Sequence, residues 1–332
     1  MASLKIGVLG FGFIGDIHAR AAETCSGTEL AGVWTLQDNT AQNFNKLYPE
    51  KKLYESPEEM AADPDIDAVA IGTPNSLHFP QAEMFLKAGK HVLVEKPMAM
   101  SVSQGEEMAN LALQKDLRLM VGHMWRFDRE VVALRDLLAS GDIGDVVRTK
   151  GYGIHENWGP SGWFADKELA GGGALVDMGV HALDTVRFLL GDPEPKSVYA
   201  VVETRYGDYD VDDMSVVVVR WSDNVTSVVE SGWWHPHMDG PEASTQLFGT
   251  KGYARAFPTM AKFTDGRAPW LPRFPAREEH CDQHMYDRQM QEFADAIGDG
   301  REPVAGAEEG IAVMRICEAA YLSAARGEVV KL

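Results

Sequence analysis

Three cysteines in 332 residues, Cys25, Cys281 and Cys317, are odd in number and form no C-x-x-C pair. They offer neither a disulfide framework nor a zinc ribbon and suit a reducing compartment. Cations are also short, with 31 Lys and Arg against 50 Asp and Glu, for a net charge of −19. Such a chain repels phosphate backbones and anionic lipid surfaces, which leaves out nucleic-acid and membrane-surface roles. No uninterrupted run of 18 apolar residues occurs, and the most apolar stretch, 173–191, carries Asp177, His181, Asp184 and Arg187. The first residues, MASLKIGVLGFGFIG, enter a strand pattern without a basic region, apolar stretch and cleavage site. From these absences we expect a water-soluble, cytoplasmic protein with a small or neutral partner.

What is present is ordinary globular composition, 45% hydrophobic, 9% aromatic and 24% charged, at a length of at least two average domains. Over 1–124 short apolar runs alternate with helical patterns, which predicts βαβ units in a doubly wound parallel sheet. Strands are expected at 4–9, 29–35, 68–72, 91–94 and 118–122, rich in Val, Ile and Leu and without strict alternation, as in strands buried on both faces. Helices are expected at 14–24, 41–47, 77–88 and 102–114, the last capped by Ser101. After residue 125 come a helix at 130–139, a strand near 146–153, a Gly- and Trp-rich loop and a long helix over 174–190. Strands then follow at 198–206, 213–221, 225–234, 244–249 and 252–256, with turns at 222–224 and 249–252. Helices near 284–297 and 308–325 and a strand at 329–332 close the chain. The expectation is an α/β domain, 1–124, and an α+β domain, 125–332, with a large, mostly antiparallel open sheet, its closing segment free to pack back on the first domain. The broad face of strands 211–221 and 225–234 points to a homo-oligomer, dimer or tetramer, through that sheet.

Gly10-Phe11-Gly12-Phe13-Ile14-Gly15 follows a predicted strand and opens a predicted helix. The first glycine permits a tight turn, the second lets backbone approach a pyrophosphate, and the third lets helix pack on strand. The amides of Gly12, Phe13 and Ile14 then face the anion at a positive helix end. This is the Rossmann dinucleotide-binding turn. It commonly has an acidic residue about 20 positions on, for the adenosine ribose, where this chain has Thr35. A hydroxyl there admits NADP, but no Lys or Arg lies between Thr35 and Asn45, and Asp38 stands close by. The lean is to NAD over NADP.

Three further segments stand in register with this turn: Thr73-Pro74-Asn75-Ser76-Leu77-His78, Gly89 to Pro97 (GKHVLVEKP), and Gly171 to Asp184 (GGGALVDMGVHALD). Glu95-Lys96-Pro97 and Thr73-Pro74-Asn75 both end predicted strands, at the carboxyl edge where doubly wound sheets bind ligands. Asp177, His181 and Asp184 share one face of a predicted helix, and the bare backbone of Gly171-Gly172-Gly173 suits close approach of a ligand. With these segments the chain resembles the Gfo/Idh/MocA oxidoreductases, the group of glucose–fructose oxidoreductase and inositol dehydrogenase, over nearly its whole length. Only the residue at Thr35 departs from the commoner pattern.

The resemblance implies hydride transfer with His181 as general acid/base, Asp177 as its partner, and Lys96 beside the reacting oxygen and the nicotinamide. It places Thr73, Pro74, Asn75 and Glu95 along the cofactor, and Arg126 against the substrate unless it serves a salt bridge. His78 fits cofactor contact and helix-start packing equally. On the substrate side Trp158, Trp163, Trp233 and Trp234, with His155, His235 and His237, suit a carbohydrate or cyclic polyol, because indole faces stack on sugar C–H faces. His155, Trp163, Asp184 and Trp234 are the expected contacts beside Lys96, Asp177 and His181. Neither His235-Pro236-His237 nor His280-Cys281-Asp282-Gln283-His284 is a complete ligand set, so no metal is expected. Three functions fit: an NAD(P)-dependent dehydrogenase of a sugar, glycoside or inositol hydroxyl; redox-assisted glycoside chemistry through a 3-keto intermediate; or a non-catalytic dinucleotide-binding regulator.

Overall fold

The computed structural model describes residues 3–238, 240–275 and 282–332. Its first part runs β1 (Leu4–Leu9), α1 (Phe13–Thr24), β2 (Thr28–Trp34), α2 (Asp38–Leu47), β3 (Lys52–Leu53), α3 (Pro57–Ala62), β4 (Ala68–Ile71), α4 (His78–Lys87), β5 (His91–Val94), α5 (Val102–Gln114) and β6 (Leu119–Val121). The middle holds α6 (Arg129–Ala139), β7 (Val146–Glu156), α7 (Lys167–Ala170), α8 (Val180–Leu189), β8 (Pro195–Glu203), β9 (Met214–Trp221), β10 (Thr226–His235), β11 (Ala243–Gly249), β12 (Gly252–Ala256) and β13 (Met260–Phe263). Helices α9 (Gln283–Asp299) and α10 (Ala307–Arg326) and β14 (Val330–Lys331) complete it. These pieces form two compact units, Met1–Met124 with Arg277–Ile311, and Trp125–Ala276 with Ala312–Leu332.

The first unit is built on one parallel sheet in the order β3-β2-β1-β4-β5-β6. All four residues of β4 are buried, as the unbroken apolar run requires of a strand covered on both faces. Helix starts follow local chemistry. Ser101 accepts from the Gln104 N–H at the head of α5, as read from the sequence, and Ser56 accepts from the Glu59 N–H ahead of Pro57 in α3. α9 joins this unit by laying polar side chains on α1: Gln283 donates to the Ile17 carbonyl and Gln291 to that of Ser26, both at 3.1 Å.

The second unit carries an eight-stranded sheet in the order β13-β12-β11-β7-β10-β9-β8-β14. Every neighbouring pair in it is antiparallel except β7 with β10, which run parallel. Along β9 the inner residues Ser215, Val217, Val219 and Trp221 are buried and alternate with Val216, Val218 and Arg220. That inner face packs on α8, all ten of whose residues are buried, and on Val313, Ile316 and Ala320 of α10. Burying each such side chain is worth about 1.5–3 kcal/mol.

Several boundaries differ from expectation. The helix expected over 174–190 begins instead with a single π turn, Leu175–Gly179, ahead of α8. β3, α3, α7 and β13, all six residues or shorter, have too few apolar positions to announce a period.

Candidate active site

The strand order reverses between β1 and β4, the place where open α/β sheets bind ligands beyond their carboxyl ends. The glycine turn lies there. Gly10 has φ +83°, and a Cβ on it would meet the Gly72 carbonyl oxygen at 2.8 Å and Thr73 Cγ2 at 3.1 Å. A Cβ on Gly15 would run into the Gly10 carbonyl, so the third glycine lets α1 sit against the turn. Gly12 differs: nothing lies within 4 Å of its Cβ position. It is the N-cap of α1, whose leading N–H groups, on Phe13 and Ile14, have no acceptor within the helix. Phe13 is 66% exposed, while Ile14 turns inward against Gly72. An open backbone cradle at a positive helix end fits a dinucleotide pyrophosphate.

The other first-unit candidates gather round this turn. The Thr35 hydroxyl accepts from the Phe11 N–H at 3.3 Å and pairs with the Thr40 hydroxyl at 2.7 Å. Thr73 donates to Gln81 at 2.7 Å, and Asn75 is buried in the same loop after β4. His78 stands with Nδ1 2.8 Å from the Pro97 carbonyl and Nε2 2.9 Å from that of Thr73. The ring lies between two backbone carbonyls and, when neutral, donates to one of them, so His78 bridges the loop after β4 and the loop after β5. Burial pushes its pKa down. Glu95, expected along the cofactor, is turned inward, 2.9 Å from His18 Nε2 of α1 and against Gly122, where a Cβ would meet its carboxylate at 2.7–2.8 Å. Burial alone would raise its pKa, but the His18 hydrogen bond and the charges of His18 and Lys96 outweigh that and hold the carboxyl below its ordinary value. Pro74 and Lys96 are partly exposed.

In the second unit Asp177 lies in the π turn, its side chain 13% exposed, and accepts from Trp233 Nε1 at 3.0 Å. The imidazole of His155, on β7, stands 3.9 Å from the same Asp177 oxygen and, through Nδ1, 3.3 Å from Glu242. Glu242 also accepts from Trp158 Nε1 at 2.6 Å and from the Glu156 N–H at 2.8 Å. Burial would raise Glu242, and these donors outweigh it, so its pKa is lowered. His181, buried in α8, lies with its ring 5.1 Å from that of Trp125. A bulge in β10 between Gly232 and His235 inserts one residue, and Trp234 takes φ +61°. Trp233 thereby turns fully inward to Asp177, while Trp234 stays 41% exposed beside Gly159. Trp163 is stacked on Phe164 at 3.8 Å.

Three expectations change here. Arg126 and Asp184, read as substrate contacts, bind each other: Nε and Nη2 of Arg126 reach the Asp184 carboxylate at 2.7–3.0 Å with both residues buried, and Asp192 joins at 2.7 Å. The salt-bridge reading of Arg126 is the one found, in the interior rather than on the surface. The bare backbone of Gly171-Gly172-Gly173 meets protein: Gly171 has φ +81° at the end of α7, Gly172 faces the Tyr321 hydroxyl, and Gly173 packs on the Asp212 backbone. The Asp212 carboxylate accepts from the N–H groups of Gly173 and Leu175, each at 2.8 Å, and so anchors the π turn. Third, the π turn interrupts the single α-helical face expected to carry Asp177, His181 and Asp184. Sequence reasoning missed His18, Asp212 and Glu242. Each acts across more than 35 positions, and no local motif marks it. Among the described residues no group of three or more His, Cys, Asp or Glu is placed to hold a metal. His280 and Cys281 lie outside those residues.

Comparison with known proteins agrees with this geometry. Residues 4–123 match the model of the oxidoreductase family with an NAD-binding Rossmann fold, and residues 131–255 match the GFO/IDH/MocA C-terminal domain. D-glucoside 3-dehydrogenase of Escherichia coli is 27% identical over 99% of this chain and 97% of its own. D-xylose 1-dehydrogenase (NADP(+)) 2 of Haloferax volcanii is 30% identical over 99% and 100%. Among solved structures, aldose-aldose oxidoreductase of Caulobacter crescentus, complexed with glycerol, superposes with a TM-score of 0.86 at 28% identity, covering 99% of this chain and 100% of that one. The chain therefore belongs to the Gfo/Idh/MocA family of oxidoreductases, with an NAD-binding Rossmann domain followed by the family's C-terminal domain.

Proposed function

We propose that this protein is a dehydrogenase that removes hydride from, or returns it to, a secondary hydroxyl of a sugar, glycoside or cyclic polyol. The observation that carries the reading is the pair of chemistries in one chain: an open dinucleotide cradle at Gly12, and a largely buried Asp177 in the turn that leads into α8 and its buried His181, with the His155 imidazole 3.9 Å from the carboxylate. Bound nicotinamide supplies the hydride acceptor. His181 takes the hydroxyl proton, as imidazole can near neutral pH. Asp177, fixed by the Trp233 N–H, steadies the charged imidazole that results, and the Lys96 ammonium steadies the developing alkoxide. Trp234 offers an exposed indole for a sugar ring, and His155 and Trp163 are the further contacts proposed in this unit.

For the cofactor we propose NAD. Thr35 is engaged by Phe11 and Thr40, Asp38 opens α2, and no cation from 35 to 45 is present to hold a 2′-phosphate. The names of D-glucoside 3-dehydrogenase and aldose-aldose oxidoreductase favour a second reading, in which the carbonyl product is consumed on the enzyme and the cofactor is recycled. The outer face of the second sheet exposes Tyr199, Val201 and Val216 by 42%, 37% and 37%, which supports a homo-oligomer through that face. No helix among the described residues is long and apolar enough to cross a membrane, and the cysteine usage supports the cytoplasm. Lys96→Ala tests the catalytic reading: turnover should fall by about 100-fold or more while the dinucleotide Kd stays within about threefold. Equal turnover in the variant would remove Lys96 from the reaction.

A further inference from the structure

Hydride transfer as described needs Lys96, Asp177 and His181, yet a further carboxylate, that of Glu242, is fixed across the His155 imidazole from Asp177. One Glu242 oxygen receives the Glu156 N–H and the Trp158 indole, the other faces His155 Nδ1, and the Glu242 carbonyl receives the Ile154 N–H at 2.8 Å. His155 therefore stands between two carboxylates, Glu242 at Nδ1 (3.3 Å) and Asp177 at Nε2 (3.9 Å), with its side chain 5% exposed. A neutral imidazole has one N–H and one lone pair, and would turn that lone pair on one carboxylate or the other. The doubly protonated ring turns an N–H toward each, Glu242 at hydrogen-bond distance and Asp177 at ion-pair distance. The Trp158 ring, stacked on the imidazole at 3.6 Å and 29°, adds an aromatic face that favours a cation.

We infer that Glu242 is a positioning residue for Asp177, acting through His155, which it holds as a buried imidazolium. The inference rests on the reading of Asp177 as the catalytic carboxylate. Among the described residues, the charged groups within ion-pair distance of His155 include Asp177 of the π turn and Glu242 of the loop before β11; the loop after β7 sets the Trp158 ring on the imidazole, and β10 sends the Trp233 N–H to Asp177. The cation balances one of the two carboxylates and keeps Asp177 ionised while the substrate proton passes to His181. Burial of Glu242 opposes its charge, and its three donors overcome that, which fits an ionised partner for His155.

The test is a titration of full-length protein labelled with 15N-histidine, followed by long-range 1H–15N spectra. One imidazolium signal, absent from His155→Gln, should stay charged well above the ordinary histidine value of about 6.5. In Glu242→Gln its pKa should drop by about one unit or more, the alkaline limb of the kcat profile should move with it, and kcat should fall about tenfold. KM and dinucleotide affinity should hold within about twofold, and Glu242→Asp should recover part of the loss. A His155 ring already neutral near about pH 7 in the natural protein overturns the inference, whether or not Glu242→Gln folds. So does a Glu242→Gln protein in which both the signal and the kcat profile are unchanged. Full turnover in Asp177→Asn, with the imidazolium signal as described, refutes instead the catalytic role of Asp177 and leaves the ionic arrangement standing.

Discussion

At the scale of single residues, the three glycines of the first turn do different work, and that difference is measurable. Gly10 and Gly15 would drive a Cβ into backbone, whereas Gly12 faces open space. Gly12→Ala should therefore fold with its stability within about 0.5 kcal/mol of the natural protein and yet bind dinucleotide at least about tenfold more weakly. Calorimetry and fluorescence titration check the two halves. Tight binding by that variant would move the pyrophosphate away from Gly12. Glu95 makes a second prediction. Its folded pKa lies below the ordinary value of 4.5, so its contribution to stability is complete above that value and is lost as pH falls through the lower folded value. The natural protein should lose stability in that acid range, and His18→Leu, which removes the stabilising hydrogen bond, should lose less there. Denaturant midpoints across the range test the sign.

At the scale of elements, the bulge in β10 and the π turn before α8 meet at one hydrogen bond. The bulge turns Trp233 inward, the π turn presents Asp177, and the indole N–H joins them at 3.0 Å. Trp233→Phe keeps an aromatic side chain but removes the donor, along with part of the buried bulk, so kcat should fall about tenfold, in line with a net hydrogen bond of about 1 kcal/mol or somewhat more. An unchanged kcat would make the bond structural only. These two irregularities also mark the limit of what the sequence discloses. The glycine turn was legible because its geometry is set within six residues, and the parallel strands because burial on both faces leaves continuous apolar runs. A bulge or π turn inserts a single residue into a period that otherwise holds, so the 174–190 pattern reads as one uninterrupted helix. The triple glycine shows the same limit: the need for bare backbone was visible, but Asp212 and Tyr321, the groups it makes room for, come from the loop before β9 and from α10, far along the chain.

At the scale of the whole molecule, the proposed function draws on residues of both units: Gly12 and Lys96 belong to the first, Asp177 and His181 to the second. Glu242 was invisible in the sequence for the corresponding reason. It stands 87 positions from His155, beside neighbours that carry no motif, and only the fold brings the two together. The same holds for Arg126 and Asp184, 58 positions apart, whose buried pairing removed both from the expected substrate contacts. The outer sheet face supplies a prediction at this scale. Val216→Asp places a charge in the exposed apolar patch of β9 and should lower the solution mass measured by light scattering, with the inner core untouched. A natural protein that is already monomeric at micromolar concentration would contradict assembly through that face.

A hydride passed from a carbinol to nicotinamide, as proposed, is followed by absorbance at 340 nm. The natural protein should be mixed with NAD+ or NADP+ and a panel of aldoses, glycosides and inositols, in steady state and in single turnover. Reduced cofactor should form with at least one of them, faster with NAD+, and should fail to form in His181→Ala. No reduced cofactor with any of them in either regime, or the same rate in His181→Ala, would contradict the proposed transfer.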